Sequence, residues 1–237
     1  MTTERKEGNT LREKIESMIY ANDLRGLLYQ AGALHGHLCN FLAFGVVGGA
    51  AAIRELEVRN TGMDEVVAIV ETNNCFTDGI QIVTGCTFGN NALIYRDLGK
   101  TAFSLVRRNG EGVRYVLDPD FEDSREKEYP EAYALWNELI TEKKDATPEK
   151  HERMMKLFGE MSLAALEMPL DRMFRTRKRQ FALPPASMMY PSVRCDKCGE
   201  NIMESRARLV GGKTYCLECA GENLYAMDSR GMGIVVP

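Results

Sequence analysis

Two CxxC pairs, CDKC at 195–198 and CLEC at 216–219, constrain this chain more than any other feature. Two residues between cysteines let one tight turn aim both sulfurs at a single ion. Two such turns supply the four thiolates of a tetrahedral zinc site. Gly199 follows the first pair, and RLVGGKTYC (208–216) sets a Gly-Gly turn between two short strands leading into the second. So small a segment has too little core to fold well alone, and zinc supplies such modules with roughly 10–16 kcal/mol of apparent folding free energy. Cys195, Cys198, Cys216 and Cys219 are therefore expected to hold a structural zinc in a four-cysteine, zinc-ribbon-like domain at 186–237. Pro184, Pro185 and Pro191 mark the linker into it.

The remaining residues, 1–185, read as one core domain. The chain has 237 residues, 44% hydrophobic and 27% charged, enough for a real core. A net charge of −4 gives no global pull toward nucleic acid or an anionic membrane. The polar N-terminal stretch MTTERKEGNTLREKIE lacks the apolar core of a secretory signal. Seven cysteines, an odd number clustered at short spacings, argue against a secreted disulfide framework and for metal binding or thiol chemistry in the cytoplasm. Leu38 to Ile53 is uncharged, but it is too short to span a bilayer and carries Asn40, Gly45, Gly48 and Gly49. It is expected to be a buried helix, and no membrane association is expected.

Periodicity gives the element types. Leu11, Ile15, Met18, Leu24, Leu27 and Leu28 recur at helical spacing and predict a helix over Thr10–Ala33. A second helix is expected from Asn40, taken as its N-cap, to about Leu56, with its glycines set against a neighbouring backbone. VVAIVE (66–71), FSLVRR (103–108) and VRYVL (113–117) read as strands, the last two joined through Asn109-Gly110-Glu111-Gly112. Thr77 and Asp78 are expected to open a short helix, and 87–100 to be loop with a further strand. The charged stretch 119–185 reads as a helical extension, with helices around Ala132–Ile140 and, capped by Thr147, Pro148–Leu166. The fold class is α+β: helices packed on a small mixed or antiparallel sheet, plus the small C-terminal zinc domain.

HGHLCNFLAFG (35–45) holds two of the three histidines. Alternate residues of an extended segment face one side, so His35, His37 and Cys39 can converge on one point. Cys39 just ahead of a helix, and Cys75 between a strand and a helix, both lie where helix N-termini favour a thiolate. The four residues would make a mixed nitrogen–sulfur metal site, and three of them would leave a position open for substrate. The competing reading is that Cys39, Cys75 and Cys86 are ordinary buried cysteines, a residue type often fully buried. Cys86 is read as core or as support behind the site, and His151, in a charged helix, as surface.

HGHLCNFLAFG, ETNNCFTDGIQIVTGCTFGNNALIYRDLGKTAF and the terminal CxxC pairs together resemble the FmdE-like family, named for a component of formylmethanofuran dehydrogenase. That family has a His-Gly-His-x-Cys-Pro segment opening a glycine-bearing helix. A Glu-Thr-x-x-Cys-x-x-Asp-x-Ile-Gln-x-x-Thr-Gly-Cys-Thr-x-Gly block follows its first strand. The likeness covers roughly 20–118 and 190–222 and leaves 119–185 uncovered. It implies that His35, His37, Cys39 and Cys75 bind metal, a zinc ion, and that Cys39, Cys75 and His37 are the catalytic candidates. It also matches Asp78, Gln81, Thr84 and Cys86 to the second block. The family's proline after the first cysteine is Asn40 here, the basic residue before the second is Asn74, and its Gly-Lys-Gly-Asn is replaced by Gly89-Asn90-Asn91, without the lysine.

The resemblance further implies an association with molybdenum or tungsten oxidoreductase subunits in anaerobic one-carbon metabolism. The sequence has no cysteine run for an iron–sulfur cluster and no recognisable site for a pterin-held metal. An accessory or separate zinc-dependent role is the expectation, and whether the chain is itself an enzyme stays open. The alternative is a nucleic-acid-binding or regulatory protein. Residues 172–214 carry a basic excess that includes Arg175, Arg177, Lys178, Arg179, Arg194, Lys197, Arg206, Arg208 and Lys213. The glycine-faced helix and the basic tail lead us to expect a homodimer.

Overall fold

The computed structural model describes residues 10–62, 65–144, 147–186 and 188–235. It divides into two units, Met1–Pro184 and Pro185–Pro237.

In the first unit the helix expected over 10–33 is two helices, α1 (Thr10–Tyr20) and α2 (Leu24–His35). Asn22 sits in the left-handed region at φ 56, which asparagine tolerates, and Asp23 caps α2 by accepting the Gly26 N–H. Gly36, at φ 95, ends α2. Helix α3 (Asn40–Glu55) is buried along almost its whole length. Its N-cap is Cys39, whose backbone is extended. Asn40 is already helical and buried, with its amide 3.4 Å from the Tyr133 hydroxyl.

Strand β1 (Val66–Val70) leads into α4 (Cys75–Thr84), which starts two residues before the expected Thr77. The reason is Asn74, whose side chain accepts the Phe76 N–H and so caps the helix at Cys75. At the far end, the Arg12 guanidinium donates to the carbonyls of Ile82 and Val83 at 3.1 and 2.7 Å. Strands β2 (Leu93–Tyr95), β3 (Ala102–Arg107) and β4 (Glu111–Leu117) follow.

The helical extension consists of α5 (Pro119–Glu128), α6 (Pro130–Trp136) running into a π-helical turn (Asn137–Thr141), α7 (Pro148–Ala165) and α8 (Leu170–Met173). Each of α5, α6 and α7 begins with a proline, whose missing N–H costs nothing there. The basic segment after α8 is β5 (Phe174–Gln180), the edge strand beside β4. Its residues beyond Phe174 are exposed. A charged edge discourages further strand pairing.

The five-stranded sheet runs β2-β1-β3-β4-β5, with β1 parallel to β2 and every other neighbouring pair antiparallel. It is mixed, as expected for this α+β chain. Phe103, Tyr115 and Phe174 stack from one face of the sheet with Phe76 of α4, and α3 completes that core.

The second unit is built of three hairpins: β6 (Ser192–Arg194) with β7 (Asn201–Met203), β8 (Arg208–Val210) with β9 (Lys213–Tyr215), and β10 (Leu224–Asp228) with β11 (Gly231–Val235). Gly211 and Gly212 both have positive φ, 58 and 77, as a two-residue type I′ turn demands. Among its described residues only Cys195 and Gly231 are buried. No described helix is long and apolar enough to cross a membrane.

Candidate metal centre

The core site is made by two helices that approach unusually closely. A Cβ added to Gly45 would lie 2.1 Å from the Phe76 carbonyl, and one on Gly79 would lie 2.6 Å from the Leu42 carbonyl. With hydrogens at these positions, α3 and α4 touch backbone to backbone and their N-termini meet. Cys39 is the cap of the first and Cys75 the first residue of the second. Both thiols therefore stand at helix N-termini, where the helix dipole favours negative charge. His35 ends α2, and the short turn through Gly36 brings His37 beside it, with ring centroids 4.5 Å apart.

One ligand atom from each of His35, His37, Cys39 and Cys75 lies within 4.8 Å of every other. A tetrahedral zinc with bonds of about 2.0–2.3 Å sets its donors roughly 3.5 Å apart, so the group needs only a slight contraction. His35 Nδ1 is held 2.7 Å from Asp78 Oδ2, and Gln81 donates to the other Asp78 oxygen at 3.0 Å. His35 Nε2, by contrast, is buried and has no hydrogen-bond partner. A carboxylate on one imidazole nitrogen and an unsatisfied second nitrogen beside two thiols is how a metal-binding histidine is oriented. The donor set and the orphaned nitrogen fit zinc.

The two thiols shift each other's protonation in opposite directions. The Cys75 thiolate accepts from the Cys39 thiol, is opposed by burial, and is helped by His35 and by the helix amide, which brings its pKa down to about 6. The same hydrogen bond, together with burial, pushes Cys39 up. Burial works against a charged His35, but its bond to Asp78 and the nearby Cys75 outweigh that and raise it. Burial and the charge of His35 lower His37. Cys86 stays outside the group: it is fully buried, donates to the Val66 carbonyl at 3.6 Å, and burial lifts its thiol to about 11. Of the second sequence block, Asp78 and Gln81 act on the site. Thr84 bonds to the Ile80 carbonyl within its own helix.

A cavity of about 460 Å³ opens onto His37, Cys39 and Cys75. Phe41 of α3 forms one wall, and Tyr133, Trp136 and Ile140, from α6 and its π-helical turn, form another. Met154, Met155 and Phe158 of α7 close it, with exposed His151 at the edge. These walls come from 119–185. In sequence they read only as amphipathic helix, and nothing there singled out a pocket. His151 is on the surface as expected, but that surface is the cavity mouth.

In the second unit Cys195, Cys198, Cys216 and Cys219 again offer four donors within 4.8 Å of one another. Cys195 Sγ accepts the Cys216 N–H and Cys216 Sγ accepts the Cys219 N–H, the backbone support that thiolate ligands need. Backbone N–H groups led by that of Cys198 bring Cys195 down to about 6. The basic run Arg175–Arg179 lies on β5 of the first unit, away from this cluster in the chain. There Arg175 pairs with Asp118, Lys178 pairs with Glu55, and Arg179 stacks over Phe181.

Comparison with known proteins agrees with this division. Residues 34–175 match the family model described as FmdE, molybdenum formylmethanofuran dehydrogenase operon. Residues 189–223 match the prokaryotic dksA/traR C4-type zinc finger. A curated relative, the probable S-adenosyl-L-methionine-binding protein of Archaeoglobus fulgidus, is 37% identical over 214 residues. That alignment takes in 88% of this chain, which spans only 56% of the relative. The crystal structure of a tungsten formylmethanofuran dehydrogenase FmdE-like protein from Syntrophus aciditrophicus superimposes with a TM-score of 0.55 at 24% identity. The match covers 84% of this chain and 92% of that one, a likeness of fold.

Proposed function

Since this chain belongs to the FmdE family (molybdenum formylmethanofuran dehydrogenase operon) and ends in a C4 zinc finger, we propose that its core binds a second zinc for chemistry on a small molecule. The ligands are His35, His37, Cys39 and Cys75. The observation that carries the reading is His35, with Nδ1 fixed by Asp78 and Nε2 buried without a partner. A histidine that served only the core would have that nitrogen bonded or solvated.

When bound, zinc would supply Lewis acidity and acidify a coordinated donor. The chain supplies the rest. Asp78 keeps the His35 proton on Nδ1 and leaves Nε2 as donor, and Gln81 holds Asp78 in place. Of the two thiols Cys75 is the one favoured as thiolate and Cys39 the one that keeps its proton, which metal loading would release. The apolar walls lower the polarity around the reacting face. Cys39, Cys75 and His37, which line the cavity, are the groups that meet a bound molecule. We assign the site to a zinc-dependent or accessory step beside molybdenum- or tungsten-dependent one-carbon oxidoreduction, which this chain does not carry out alone.

Metal analysis of the purified chain tests this reading. Two zinc equivalents are expected, falling to one in a Cys39→Ser, Cys75→Ser double variant. Two equivalents retained in that variant would overturn it. A second reading follows from the curated relative's name. The rings of Phe41, Trp136 and Phe158 suit a sulfonium cation, which aromatic faces attract, so S-adenosyl-L-methionine is a candidate occupant. Equilibrium dialysis with the labelled compound would support it by saturable binding and remove it by none.

A further inference from the structure

From the walls of the core cavity we infer that its occupant is an uncharged apolar thiol, bound with its sulfur toward His37 and its hydrocarbon or aryl body between α6 and α7. This inference rests on the zinc reading of the core site and is the rival of the S-adenosyl-L-methionine reading, whose carboxylate and ammonium the walls do not pair. The size is right, since about 460 Å³ is within the usual 300–1,000 Å³ of small-molecule pockets. Among the described residues no lysine, arginine, aspartate or glutamate lines it. A phosphate, carboxylate or ammonium group would therefore be desolvated with no lysine, arginine or carboxylate from the walls to pair with it. Phe41, Trp136, Ile140, Met154, Met155 and Phe158 offer instead a broad surface of rings and polarizable sulfur, suited to an apolar body.

The floor selects the head group, because a zinc ion already holding two thiolates accepts a soft sulfur donor readily. Geometry names the position it takes. Cys39 and Cys75 are fixed at helix starts and His35 is locked by Asp78. His37 sits in the turn between α2 and α3, and no hydrogen bond among the described residues orients its ring. With zinc held by these residues, His37 would therefore be the one to give way to the incoming sulfur. The S–H bond would break, its proton would pass to solvent, and the imidazole would leave neutral. No redox change is involved. The π-helical turn Asn137–Thr141 carries Ile140 and follows directly on Trp136, so an irregular turn of the kind frequent at functional sites shapes this wall.

Trp136 is the chain's single tryptophan and lines the cavity, so its fluorescence reads occupancy directly. The full zinc-loaded chain is titrated with benzyl mercaptan, with benzyl alcohol, which lacks the soft donor, and with mercaptosuccinate, a thiol bearing two carboxylates. Zinc content is measured on the same sample. Benzyl mercaptan is expected to saturate at least tenfold below either of the others. Ile140→Glu and Met155→Glu, both at half-exposed positions on the wall, are expected to weaken it at least tenfold with zinc content unchanged. Equal or tighter binding of mercaptosuccinate, or no saturable signal from a chain holding two zinc equivalents, overturns the inference. A chain holding one equivalent sinks the core-zinc reading instead. Saturable benzyl alcohol binding then supports the apolar occupant, and its absence removes that as well.

Discussion

Asp78 is the residue whose removal separates a metal site from a buried cluster. It contacts no thiol in the hydrogen-bond network and acts by orienting His35. Changing a partner of this kind costs about 10–100-fold in metal affinity. Asp78→Asn is expected to weaken core zinc by that factor in a chelator competition while the C-terminal zinc is unaffected. A second residue-scale device holds the loop that carries Cys75. Glu71, just after β1, accepts two bonds from the Arg114 guanidinium, at 2.6 and 2.7 Å, and these hold its carboxyl below the usual range. A depressed carboxylate contributes stability above its unfolded pKa, and that contribution is lost as pH falls through the folded one. The urea midpoint of Glu71→Gln should therefore lie furthest below wild type at neutral pH. Removing one partner of a buried pair costs about 3 kcal/mol. The gap should close as pH drops below about 4.3, the unfolded glutamate value. A gap that widens in acid would contradict this account of the pair.

Between α3 and α4 the contact is made by Gly45 and Gly79, and it decides where the thiols go. Gly79→Ala puts a methyl group 2.6 Å from the Leu42 carbonyl, which cannot move without shifting α3. The expected cost is about 1–3 kcal/mol by thermal or urea unfolding, with loss of core zinc, since the helix starts are forced apart. An unfolding midpoint equal to wild type would mean that the contact does not matter. The residues after His35 do display the α3 glycines, so close packing of that helix is readable there. Its partner is not. Gly79, inside a short segment, carries no mark that it faces Gly45, because helix contacts are set by the whole tertiary arrangement. The same holds for the first helix: its apolar spacing continues through Ala21-Asn22-Asp23, and only the left-handed Asn22 and the cap at Asp23 divide it.

The whole molecule joins two units with different sources of stability. The first has a large apolar core beneath a five-stranded sheet. The second buries only Cys195 and Gly231 among its described residues, so its order depends on the ion that its four cysteines hold. Chelation should accordingly expose residues 185–235 to limited proteolysis while a fragment ending near Pro184 survives. Simultaneous digestion of both units would show that the first also depends on zinc for its fold. Ten basic side chains crowd 172–214 in sequence, yet the run from Arg175 to Arg179 is the outer strand of the first unit's sheet, with Arg175 and Lys178 paired to acids. Five of the ten belong to the first unit and five to the finger.

What the residues specify without further help is short-range chemistry. The two CxxC turns, the paired His35 and His37, the Thr147 cap before α7 and the mixed run of helices and strands are all readable at spacings of a few residues. Cys39 and Cys75 could be suspected as partners from their similar settings, but thirty-five intervening residues hide any proof. Only the folded chain brought them together, by a glycine crossing that no local pattern encodes. Folding also decided that a charged helical extension with no motif of its own would wall an apolar cavity over those thiols. Burial and enclosure are properties of distant segments packed against each other, and a list of neighbours along the chain does not contain them.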